Sequence, residues 1–198
     1  MASGLPHTPE ATAVAAARTI ALQMLEERGR GAVLVGVARV DAALERLLQA
    51  VMAADTKRDD HLFRPDAPLG SLGAKVALAL RLGLIDEAVE RSLQTLRRVR
   101  NAFAHSTASA SLAESAHASR LAQSYETART NPLWLPLATV LDRQPDADGR
   151  PLDPALRDYI LLITILVAFL EATAQQLQPF QPQVVMGFSG VIQQEPTG

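Results

Sequence analysis

Arg97, Arg98, Arg100, Asn101 and His105 fall within one short stretch, Leu96-Arg-Arg-Val-Arg-Asn-Ala-Phe-Ala-His-Ser106. These residue types could do two kinds of chemistry. Guanidinium groups hold anions, and an imidazole beside an amide and a guanidinium can move a proton near a phosphate. Nowhere else in the chain do such side chains concentrate.

The element that must carry them is a helix. Leu93, Leu96, Val99 and Phe103 recur at steps of three and four, which makes a buried stripe. Arg97, Arg98, Arg100 and Asn101 lie at or beyond its edges. Asn101 and His105, four apart, share a face, whereas Arg100 and His105, five apart, stand about 140° apart on an ideal helix. The arginines are either solvated, paired with acids such as Glu87 and Glu90, or part of a binding surface. Asn101 and His105 could instead hold the Leu69–Ser71 turn in place. A histidine in a last turn is also favoured by the helix dipole alone.

The rest of the chain reads as helices around this one. Helices are expected over about 9–27, 32–54, from Ser71 to Gly83, from Asp86 to about His105, over about 111–127, and over about 154–177. Thr8-Pro9-Glu10 starts the first and Gly29-Arg30-Gly31 stops it. Ala32–Ala38 is apolar nearly all round and should be central. Further along that helix, Asp41, Glu45 and Arg46 read as solvated charges, with Arg39, Asp41 and Glu45 able to flank a groove. Ser71 reads as an N-cap and Lys75, one turn later, as a surface charge. The two resemble a Ser-x-x-x-Lys pair, but no oxyanion site accompanies them. Leu133, Trp134 and Leu135, between Pro132 and Pro136, should pack across the bundle. His117 has no evident partner. The run Tyr159–Leu170 is twelve apolar or small residues long. That covers roughly 18 Å, short of the ~30 Å hydrocarbon core, so it reads as a buried core helix or a subunit-interface helix rather than a membrane span.

Together these features predict an all-α, single-domain bundle of about six to seven helices. Residues 1–8 should be a frayed N-terminus, 9–177 the bundle, and 178–198 an extended or disordered tail. In that tail Val184, Val185, Met186 and Phe188 could dock on the bundle or a neighbour. The 198-residue chain is long enough for one real core. It has no cysteine, so disulfides and thiolate metal sites are excluded and a cytoplasmic location is the simplest reading. The net charge of −2 lacks the basic excess usual for a protein that binds bare duplex DNA by itself. No signal peptide, helix-turn-helix or repeat is visible. The Asp59-Asp60-His61 cluster has no partner histidine at helical spacing, so no metal and no cofactor is expected.

Two family resemblances attach to these residues. Leu62-Phe63, Pro68-Leu-Gly-Ser71-Leu-Gly-Ala-Lys75, Leu82-Gly-Leu-Ile85 and Leu96–Ser106 resemble the mannitol operon repressor (MltR-like) family, over about residues 32–130. That resemblance implies an all-helical transcriptional regulator without a recognisable DNA-binding motif, acting through partners or an unusual surface. In this binding reading the site residues are Arg97, Arg98, Ser71 and Lys75. The second resemblance is shorter. Arg100-Asn101-x-x-x-His105 is similar to the Arg-x4-His motif of HEPN-domain ribonucleases, helical bundles that pair the motif across a dimer. It implies a metal-independent nuclease in which His105 moves the 2′-hydroxyl proton, Arg100 stabilises phosphate charge and Asn101 orients the site. A third reading is an antitoxin-like or scaffold component whose tail binds a partner. The expected partners are a second copy of the chain, another protein, and nucleic acid: RNA for a nuclease, DNA indirectly for a regulator. No membrane partner is expected.

Overall fold

The computed structural model describes residues 9–27, 29–53, 61–106, 111–146, 149–179, 186–187 and 190–191. Among these residues the chain forms seven α-helices: α1 (Pro9–Leu25), α2 (Arg30–Val51), α3 (Leu72–Arg81), α4 (Glu87–His105), α5 (Ser115–Arg129), α6 (Trp134–Leu141) and α7 (Pro154–Gln176). A 3-10 turn covers His61–Phe63. A minimal antiparallel ladder pairs β1 (Met186–Gly187) with β2 (Gly190–Val191). The all-α expectation is met. The expected frayed N-terminus, the Asp59–Asp60 half of the possible metal cluster and most of the tail lie outside the described residues.

The core is organised around α7. Asp153 caps it by accepting from the Ala155 N–H at 2.9 Å, and Pro154 opens it where a missing N–H costs nothing. Every residue from Asp158 to Ala168 is buried. The apolar run is therefore core, and no helix among the described residues is long and apolar enough to cross a membrane. α2 packs most extensively on α7, followed by α1, with α5 and α6 on other flanks.

α2 has a second duty. Its apolar residues spread around the axis, as the sequence led us to expect, so it also packs against α3 and α4. The approach to α7 is closest at Gly36. A β-carbon there would lie 3.0 Å from Tyr159 Oη, 3.1 Å from Ile163 Cγ1 and 3.1 Å from Met24 Cε. Tyr159 Oη donates to the Val33 carbonyl at 3.0 Å. Burial pushes this phenol's pKa up, so it stays a donor.

Two local expectations need correction. Gly29, at φ 41°, is the break, and α2 begins at Arg30, so Gly31 lies inside the helix rather than in the stop. The other concerns the stretch around α6, which starts after Pro132 and holds Pro136 in its first turn, where the lost N–H has no helical acceptor. Of the three residues expected to pack across the bundle, Trp134 is buried and Leu133 partly so, but Leu135 is 73% exposed.

The charged residues at the start of α7 also find partners. Asp158 accepts from Arg129 at 2.7 Å and from Arg157 at 2.9 Å, and Arg157 reaches Asp142 at 2.9 Å. Arg129 also lies over the Trp134 ring, 5.6 Å from its centroid. The cluster ties α5, α6 and α7 together at one end. Gly36→Val should force two γ-methyl groups into the α2–α7 contact. The expected loss is about 1–3 kcal/mol in urea unfolding, with little change in helix content.

Candidate functional site

α4 forms where its stripe predicts. Asp86 caps it through the Val89 N–H at 2.8 Å, with Glu87 and Glu90 in the acidic first turn. Leu93, Leu96, Val99 and Phe103 are completely buried. The helix ends at His105, and Ser106 turns extended. Arg30, at the start of α2, donates to the Ala104 carbonyl at 2.8 Å and the Ser106 carbonyl at 3.1 Å. This guanidinium satisfies carbonyls that a helix end leaves open.

Between α2, the start of α3 and the outer edge of α4 lies a groove of about 380 Å³. Leu34, Val37, Ala38 and Asp41 come from α2, Gly70–Gly73 from the α3 entry, and Arg97, Arg100 and Asn101 from α4. The α3 entry is held tightly. Leu69 N–H bonds to the Leu62 carbonyl at 2.9 Å and Gly70 N–H to the Ala67 carbonyl at 3.0 Å. A β-carbon on Gly70 would sit 2.1 Å from the Arg64 carbonyl oxygen, so only glycine fits. Ser71 accepts from the Ala74 N–H at 3.2 Å, the N-cap expected of it. The turn is thus held by its own backbone, not by Asn101 or His105.

The arginines of the groove bond to amide side chains rather than to acids. Arg97 Nε donates to Gln94 Oε1 at 3.0 Å and Arg100 Nη1 to Asn101 Oδ1 at 3.2 Å. Arg98 is exposed and outside the groove. Among the described residues none of the three pairs with a carboxylate. Glu87, one of the acids expected nearby, is taken by Arg91 at 3.3 Å. The Arg97 side chain lies across Gly73, with Nε 3.7 Å from where a β-carbon would be.

Lys75 overturns its reading as a surface charge. It is 3% exposed, and its Nζ lies 2.9 Å from Asp41 Oδ1 and 2.7 Å from Glu45 Oε2. Phe63 lies beneath it, 6.0 Å from centroid to Nζ. Burial acts to lower its pKa, but the hydrogen bonds and charges of Glu45 and Asp41 outweigh that and raise it. Asp41 and Glu45 are therefore not simply solvated. They share a face at i, i+4, and that repulsive pair was the sequence signal that a cation should be sought. Lys75 cannot contact a ligand in the groove. Its effect there is to offset part of the Asp41 charge, since its one ammonium is shared with Glu45.

His105 is exposed, lies outside the groove, and makes no hydrogen bond among the described residues. Because α4 stays helical through His105, Arg100 and His105 keep their separate helical faces. His117, which had no evident partner, is buried against Phe103, with ring centroids 4.9 Å apart. Its Nε2 lies 3.9 Å from Glu114 Oε2. No group of three or more His, Asp or Glu side chains that could hold a metal occurs among the described residues.

No family model, no curated protein and no solved structure matches this chain.

Replacing Lys75 tests the electrostatic base of the groove. Lys75→Met leaves Asp41 and Glu45 facing each other without a cation. Both carboxylates are about one-third exposed, which softens the effect. The expected loss is about 2 kcal/mol at neutral pH, between the values for exposed and buried pairs. A raised lysine pKa stabilises the fold fully below the ordinary value of 10.5 and fades as pH climbs through the folded value. The gap between wild type and Lys75→Met should therefore be flat across neutral pH and narrow in strong alkali, as followed by urea melts.

Proposed function

We propose that this chain is a cytoplasmic regulatory binding protein of the mannitol-operon-repressor-like kind. It works as a homodimer in transcriptional control, recruiting a partner through the Arg97–Arg100–Asn101 groove rather than reading DNA with a helix-turn-helix. One observation carries the reading. Two guanidinium groups open onto a concave surface without any carboxylate partner among the described residues, while the nearby acid, Asp41, is occupied by Lys75. Arginines kept free of acids in a shaped groove suit recognition of an anionic group.

A metal-independent ribonuclease is the second reading. The imidazole of His105, exposed and without a hydrogen bond among the described residues, and the Arg100–Asn101 contact support it. In that mechanism His105 takes the 2′-hydroxyl proton and Arg100 offsets charge on the phosphate. Two copies of the motif at a two-fold axis would supply the second catalytic face.

The two readings separate in one set of experiments. Chromatin crosslinked to the tagged protein should be enriched in a defined promoter region, and Arg97→Glu with Arg100→Glu should abolish that enrichment at unchanged thermal stability. His105→Ala should leave it intact. Uniform recovery across the genome would sink the regulator reading. Cleavage of single-stranded RNA in EDTA, lost in His105→Ala, would put the nuclease in its place.

A further inference from the structure

We infer that the groove is a pocket for a small phosphomonoester, with the phosphoryl group held between the guanidinium groups of Arg97 and Arg100. This rests on the reading of the groove as the working surface and names the class of ligand that occupies it.

The arginines are the first ground. They stand three residues apart on α4 and both line the cavity. Like charges at this spacing repel, and no carboxylate among the described residues forms an ion pair with either, Asp41 on the facing wall being bonded to Lys75. Arg97 makes the conflict sharper. It lies across Gly73, in the first turn of α3, and that turn carries no acidic residue. A cation against the positive end of a helix is the reverse of the arrangement that stabilises one. A bound anion turns each of these repulsions into an attraction.

Size and lining decide which anion. About 380 Å³ lies at the lower end of small-molecule sites. The guanidinium fork matches the oxygens of a phosphate in bidentate fashion, and two forks match a dianion. Leu34, Val37 and Leu72 line the groove beside the arginines and offer an apolar wall for the organic part of an ester. Asn101 gives its Oδ1 to Arg100, which leaves Nδ2 as a donor toward the ligand. A long polyanion fits less well, since the cationic side chains sit in a concavity on a chain of net charge −2.

Phosphorus NMR and calorimetry on the full chain test this, with inorganic phosphate and phenyl phosphate as probes. Both should bind, phenyl phosphate more tightly. Binding should strengthen as pH rises through about 6, where the second phosphate proton leaves. Arg97→Ala and Arg100→Ala should each weaken binding by about tenfold or more, and the lysine replacements should weaken it less. Arg143→Ala, an exposed arginine after α6, should change nothing. Circular dichroism melts show whether each variant is folded. Equal losses in all three alanine variants, or no binding of either probe by folded wild type, would overturn the inference. So would a single-stranded oligonucleotide that binds with a steep salt dependence and is not displaced by phenyl phosphate. Phosphate binding without promoter enrichment would fail the regulator reading alone. Promoter enrichment that depends on both arginines, without phosphate binding, would fail the ligand class alone.

Discussion

At the crossing of α2 and α7 a β-carbon would fit only if its neighbours gave way, and the remaining architecture follows from that. Gly36 lets the two longest helices approach until Tyr159 can bond to the Val33 carbonyl. Interiors pack at crystal-like density, so a contact this close fixes both the rotation and the height of α2 on α7. With one flank committed to α7, the other flank of α2 must meet α3 and α4. The groove is the gap left at the outer edge of that second contact.

The second contact mixes apolar packing with charge. Leu44, Leu47 and Leu48 fill the interior, but the link from α2 to α3 ends in a buried ammonium between two carboxylates. An ion pair there contributes little net stability compared with a hydrophobic replacement. What it does is geometric and electrostatic. It sets α3 at one register against α2, and it offsets part of the negative charge that Asp41 presents to the groove. Arg97 and Arg100 of α4 are left, among the described residues, without a carboxylate partner.

The parts of this fold that were legible in the sequence were those governed by local periodicity. The stripe Leu93–Phe103, the caps Ser71 and Asp86, and the buried run in α7 each rest on neighbours a few residues away. Lys75 was misread because its environment is made by residues thirty or more positions earlier. From α3 alone a lysine one turn after a serine cap resembles any surface lysine. Arg30 was passed over for a related reason. It looked like part of a turn between two glycines, whereas its acceptors lie on the far end of α4. Hydropathy alone places Leu135 in the core, whereas the helical register of α6, which starts at Trp134, turns it to solvent. The groove could be foreseen only in pieces, because α2, the α3 entry and α4 meet through tertiary packing rather than through spacing along the chain.

Arg30 also changes what kind of object the end of α4 is. A helix terminus ordinarily frays, and a side chain standing on it samples many positions. Here the final carbonyls are gripped by a planar clamp rooted in the first turn of another helix. The last turn of α4 and the first turn of α2 therefore behave as a single joint. The imidazole of His105 projects from a braced post, and the Gly29 break, one residue before Arg30, helps set where that brace stands.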